Sequence, residues 1–239
     1  MWPLDLFWTS YLGLGLVCTV FELVRPAHKV TYGKGLPLDV VALLAYQFAF
    51  VPLAAGAMEM ANITYGGFEA VPLVARFIVV YLVADCGSYW MHRLMHTRHL
   101  WSVHRFHHSP TELYWLAGVR GTLPQQVLYM VPYMFVAPLL IGSPAWVATT
   151  MLVESIARNH FQHMNFTWRS RWLEWIFVTP RYHHIHHSTQ QDEHDGNYGS
   201  LFTFWDRLFG TRIDPETTKV KKFGTGEPKR DPVLMMLGV

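Results

Sequence analysis

Histidine is the residue type in this chain most able to do chemistry. The 239 residues include 14 histidines, and thirteen of them fall between His92 and His194. They come in four groups. The first is His92-Arg-Leu-Met-His96, whose spacing of four puts two imidazoles on one helix face. The second is His104-Arg-Phe-His107-His108; if helical, its three rings lie within an arc of about 100°. The third is Asn159-His160-Phe-Gln-His163-Met-Asn165. The fourth, His183-His184-Ile-His186-His187, repeats the spacing of the second. Crowded imidazolium ions repel one another, and crowded neutral imidazoles need acceptors for their N–H groups. A metal resolves both, because neutral imidazole is the commonest metal ligand in proteins. One ion takes about four to six ligands, so this many histidines predicts two ions.

Imidazole suits zinc, copper, iron or nickel. The chain has no Glu-x-x-His pair of the soluble di-iron bundles, no H-E-x-x-H, no C-x-x-C-H and no G-x-G-x-x-G. Zinc protease, c-type haem and a built-in nicotinamide or flavin site are therefore disfavoured. A membrane metal-binding protein and a bis-histidine b-type haem electron carrier remain as alternatives to an enzyme. Asp85 lies seven residues before His92, on the same helix face, and is expected to accept an N–H from a ligand histidine. Asp195 and Asn197 are read the same way for the fourth group, against a plain Asp-Gly-Asn turn. Glu154 and Arg158, four apart, are expected to pair.

The elements that must hold these residues are membrane helices. Hydrophobic residues make up 51% of the chain and charged ones 15%, against about 25% charged in soluble domains. Mean hydropathy is +0.14. A spanning helix needs about 20 apolar residues, and three stretches supply them: Pro3–Val24, Leu36–Met58 and Ala70–Met91. A fourth, Pro124–His160, is broken at Gly142-Ser143-Pro144 and is read as a transmembrane or re-entrant helical hairpin. Met1-Trp2-Pro3-Leu4-Asp5 lacks the basic start of a signal peptide. Two cysteines, Cys18 and Cys86, cannot build a disulfide framework, and a net charge of +2 without a basic stripe argues against nucleic acid.

The predicted class is an all-α integral membrane protein of about four to five transmembrane or re-entrant helices with a cytoplasmic histidine-rich helical cap. Residues 1–91 form the N-terminal spans, 92–123 the first two histidine groups, 124–160 the hairpin and 161–239 the cap, in one catalytic domain. Arg25, Lys29 and Lys34 follow the first span, and Arg93, Arg98 and Arg105 follow the third. The link Glu59–Glu69 has no lysine or arginine. That bias predicts an N-terminus outside and the histidines at the cytoplasmic face.

The run Asp85-Cys-Gly-Ser-Tyr89-Trp90-Met-His92-Arg93, with His96, Leu100-Trp101, His104 and His107-His108-Ser109, resembles the first histidine boxes of the fatty acid hydroxylase/sterol desaturase superfamily. Thr179-Pro180-Arg181, His183 and His186-His187-Ser188 resemble its last box. Asp195-Gly-Asn197-Tyr198-Gly199 and Trp205-Asp206-Arg-Leu-Phe209-Gly210-Thr211 resemble its closing motifs. The resemblance runs from about Ala84 to Thr211. It implies an integral membrane oxygenase with two iron ions, for which zinc can substitute in an overexpressed sample. Its ligands would come from His92, His96, His104, His107, His108, His160, His163, His183, His186 and His187. It implies dioxygen, a lipid substrate of sterol, fatty acyl or alkylglycerol type, and hydroxylation or desaturation of a C–H bond. Electrons would come from a separate reductase, ferredoxin or cytochrome. His163, with Asn165 near it, fits the pattern better than His160, and His99 and His184 match no ligand position. Arg120 is kept, whereas Thr122 stands where relatives often carry histidine. His28 precedes the metal region and His194 lies past the last box.

Overall fold

A computed structural model describes residues 4–53, 56, 68, 70–142, 145–228 and 230–239. Helix α1 (Leu4–Val24) opens with Asp5 in its first turn, where a carboxylate faces the positive end of the helix dipole. Helix α2 (Leu36–Ala45) carries Pro37 in its first turn and runs on through a π-turn, Tyr46–Phe50. Helix α3 (Leu73–Met95) begins directly after Pro72. It ends at Met95, past the expected end at Met91, so His92 sits on the helix and His96 closes it. Helix α4 is one turn, Trp101–His104, so the second histidine group is helical only at its start and His107 and His108 follow in a turn.

Helix α5 (Leu123–Ile141) is capped by the Thr122 hydroxyl, which accepts from Gln125 N at 3.2 Å. Gly142, at φ 89°, ends it in a conformation that favours glycine. Helix α6 (Ala145–His163) returns and carries the third histidine group on its last turn. The expected hairpin break therefore falls at Gly142, while Ser143 and Pro144 lie outside the described residues. So do most of the residues after Leu53 in the second span and most of the Glu59–Glu69 link. The rest is loops and short helices, among them Pro180–His186 (α8, after α7 at Arg171–Glu174). Among the described residues there is no strand, only the isolated bridges Phe177–Phe202 and Ser188–Phe223.

Among the described residues, four helices are long and apolar enough to cross a membrane: Asp5–Val24, Leu36–Leu53, Leu73–Met95 and Leu123–Ile141. Their outer faces leave Leu16, Phe48, Val74, Ile78 and Phe135 exposed, as a lipid-facing surface does. α3 packs along α5 around Val80, Ala137 and Ile141. α1, α2 and α6 enclose Phe7, Tyr11, Leu43 and Ile156 together with the 3-10 turn Trp115–Val119. Glu154 and Arg158 pair at 2.8 Å as expected.

Three buried carboxylates tie spans to loops. Glu22 accepts from the backbone N–H groups of Trp115 and Asn165, each at 2.8 Å. Asp39 accepts from Arg120 Nε at 2.5 Å and from the Tyr114 hydroxyl. Asp85 accepts from Leu201 N at 2.8 Å, Phe202 N at 3.1 Å and Trp205 Nε1 at 3.0 Å. Asp85 thus does not meet a ligand histidine. The backbone donors of the 201–202 turn and the Trp205 indole take up its oxygens instead.

Both members of the Asp39–Arg120 pair are buried, so removing one strands the other's charge, which costs about 3–5 kcal/mol. Asp39→Ala is therefore expected to lower the melting midpoint of the detergent-solubilised protein by roughly 6–20 °C. An unchanged midpoint would contradict this account of the tie.

Candidate metal centre

The histidines converge as two sets. His92, His96, His104, His108 and His186 form one, with ligand atoms all within 4.8 Å of each other; His107, His163, His183 and His187 form the other on the same criterion. Each H-x-x-H-H run is shared between them. His104 and His108, four apart, face the five-histidine set while His107 faces the four-histidine set. His183 and His187 face the four-histidine set while His186 faces the other. Adjacent residues on a tight turn point different ways, so each doublet serves both centres and holds them side by side. The rings of His108 and His187, one from each set, stack with centroids 4.5 Å apart.

The Nε2 atoms meet. His92 and His104 approach to 3.1 Å, His163 and His107 to 3.3 Å, His183 and His163 to 3.0 Å, and His187 and His183 to 3.1 Å. Nitrogens bound to one ion at about 2.1 Å and at right angles sit about 3 Å apart, so the donor set fits a metal. The buried Nε2 atoms of His96, His108 and His186 have no hydrogen-bond partner. Leaving such atoms unpaired costs about 1–3 kcal/mol each, which coordination would repay.

The other ring nitrogen is fixed from behind. Nδ1–H of His92 donates to Tyr198 O at 2.8 Å, that of His107 to Arg120 O at 2.9 Å, and that of His186 to Gly196 O at 2.9 Å. His163 donates to Asn159 O at 2.8 Å, and His104 to Gln125 Oε1 at 3.0 Å. A carbonyl can only accept, so each ring keeps its proton on Nδ1 and turns a bare Nε2 inward. Gly118 lies against the His163 ring, and a Cβ there would collide with it.

Burial pushes the His107 imidazole down to about 4. Burial, helped by neighbouring imidazoles, holds His104, His108, His183, His186 and His187 well below the ordinary range. At neutral pH these rings are uncharged, as ligation requires.

Nine of the ten expected ligands are brought together. His160 is the exception. Its Nε2 bonds Tyr11 O at 3.1 Å and its ring lies on Trp115, because it sits three residues before His163 on α6 and faces α1. Asp195 meets His96 Nδ1, at 3.4 Å, rather than the fourth group. Asn197 touches no histidine: at φ 54° it shapes the turn, donating to Tyr182 O and accepting from Ile213 N. His99 is exposed, and His184 is buried between His28 and Phe223. Sequence reasoning missed Gln125, one of two adjacent amides at the start of an apolar helix, and His194, whose ring lies 5.8 Å from that of His96.

The family model for fatty acid hydroxylases matches residues 77–211, more than half of the chain. The chain belongs to the fatty acid hydroxylase family. An ornithine lipid hydroxylase of Rhizobium tropici is 30% identical to this hydroxylase-family chain over 235 residues, covering 89% of the chain and 69% of that protein. Alkylglycerol monooxygenase of Xenopus tropicalis is 30% identical over 143 residues, 59% of the chain and 31% of that protein. Methylsterol monooxygenase 1 of Rattus norvegicus is 29% identical over 199 residues, 76% of the chain and 64% of that protein. The chain thus spans about a third of the alkylglycerol monooxygenase it matches. No solved structure matches it.

The depressed imidazoles of this family member set a pH dependence. Between about pH 6.5 and about pH 4 the unfolded chain binds protons that the folded chain refuses, so stability is lost as pH falls through that window. The melting midpoint of metal-stripped protein is expected to climb from about pH 4 to about pH 6.5 and level off above. A midpoint that peaks near pH 5 would contradict the buried neutral set.

Proposed function

We propose that the chain is a membrane-bound oxygenase that hydroxylates a C–H bond of a lipid with dioxygen, at two iron ions held by the two histidine sets. The observation that carries this is the convergence of nine histidines into adjacent sets of five and four, against the end of the membrane-capable helix α3 that carries His92 and His96. Imidazole donors bind iron without neutralising its charge. Iron held there supplies dioxygen binding and the oxidising power to break an unactivated C–H bond. The chain's own residues do the rest. Carbonyls of Tyr198, Arg120, Gly196 and Asn159, with the Gln125 amide, keep protons on Nδ1 and leave Nε2 free. Asp85 fixes the 201–202 turn against α3, close to Tyr198.

Hydroxylation is favoured over desaturation because the relatives named above are a hydroxylase and monooxygenases. A lipid substrate is supported by those names and by the exposed apolar faces of the spans. Electrons would come from a separate reductase, ferredoxin or cytochrome. The lysine and arginine bias supports an N-terminus outside and the histidines at the cytoplasmic face.

Membranes containing the protein, supplied with NAD(P)H, a reductase and ¹⁸O-labelled dioxygen, are expected to yield lipid carrying the label. His107→Ala and His186→Ala fall to background. Asp85→Asn, which loosens a turn rather than a ligand, keeps turnover reduced by roughly 10–100-fold. Unlabelled lipid from wild type, or full labelling by His186→Ala, would end this reading.

Orientation has its own test. In a cysteine-free background, a label that cannot cross membranes is expected to miss a Lys221→Cys residue in intact cells and reach it after lysis. Labelling in intact cells would reverse the topology.

A further inference from the structure

The buried sets need a way to acquire their ions, and one face of the five-histidine set offers it. His96, His194 and Asp195 form a third cluster whose ligand atoms lie within 4.8 Å of one another. Asp195 Oδ1 lies 3.4 Å from His96 Nδ1 and 3.5 Å from His194 Nε2. Exposure falls in steps along the three: the Asp195 side chain is 39% exposed, His194 14% and His96 2%. His96 belongs to both clusters, and its buried Nε2 has no hydrogen-bond partner.

The surroundings suit a passing cation. His194 ends a short acidic turn, Gln191–His194, that also carries Asp192 and Glu193, so the approach is negatively charged. The His194 ring is stacked on Trp101, with centroids 5.5 Å apart and planes at 5°, and the Trp101 indole is itself held by Glu227 at 2.7 Å. An imidazole kept in place beside a carboxylate is a ready divalent-metal donor pair. Three donors, one of them an exposed carboxylate, bind more weakly than five imidazoles, so an ion captured there moves inward.

We propose that His194 and Asp195 form a solvent-facing acquisition site that captures a divalent metal ion and passes it through His96 to the five-histidine set. This rests on the metal reading above and adds a role for His194, which no box position assigns.

Zn²⁺ uptake by chelator-stripped, full-length protein in detergent tests it, followed by stopped flow with a chromophoric zinc chelator as the competitor. Wild type is expected to take up two tight equivalents and a third, weak one. His194→Ala is expected to load about tenfold more slowly or worse, to keep both tight equivalents and to lose the weak one. His194→Asp, which restores a donor, returns uptake towards the wild-type rate and shows that the alanine effect is not misfolding. Wild-type and His194→Ala curves that coincide in rate and stoichiometry would overturn the acquisition site while leaving the two buried sets intact. A wild type that takes up no tight zinc would instead overturn the metal reading itself.

Discussion

Nine imidazoles held uncharged, with lone pairs facing one another, are the constraint on which the rest of this structure depends. Water would solvate such nitrogens and protons would charge them, so the site must be dry and each ring must be held by its far nitrogen. Loops and turns outside the histidine groups hold the far nitrogens of several of these rings. Tyr198 O and Gly196 O come from the turn after the last box, Arg120 O from the end of the 3-10 turn, and Gln125 from the start of α5. A metal would convert an expensive arrangement of orphaned nitrogens into a stable one, which makes folding and metal loading one problem.

The loops that supply those acceptors are themselves held by carboxylates buried in the spans. Arg120 shows the coupling most directly: its carbonyl receives His107, while its guanidinium reaches Asp39 on α2, Ser109 Oγ at 3.0 Å and Gly35 O at 3.2 Å. Asp206 does similar work in the cap. It accepts from Tyr198 N at 2.7 Å, Gly199 N at 2.9 Å and the Tyr182 hydroxyl at 3.0 Å. Burial raises its carboxyl to about 6, still ionised at neutral pH. The acidic residues of the spans, costly in hydrocarbon, thus serve as fasteners between membrane helices and site.

Much of this is legible in the sequence. Apolar runs point to the spans to within a few residues, and the i, i+4 spacing of His92 and His96 puts them in one set, whereas the expected common arc of His104, His107 and His108 is divided between the two sets. Asp85 was marked by its place inside a span. Its partners were not, because the donors are backbone groups of residues 201 and 202, and any residue type carries those. For the same reason the carbonyls behind His92, His107 and His186 leave no trace in composition. His160 and His163 lie within one turn; the resemblance already favours His163, and the rotation of α6 against α1 is what turns His160 away from the site. His194 lies past the boxes, so the fold alone brings it beside His96.

Metal content measures the central claim most directly. Protein purified from iron-supplemented cells, with metals counted by elemental analysis, is expected to hold two ions per chain. The double variant His163→Ala/His183→Ala, which removes half of the four-histidine set, is expected to hold one ion. A single ion in active wild-type protein, or two ions surviving in that variant, would contradict the account.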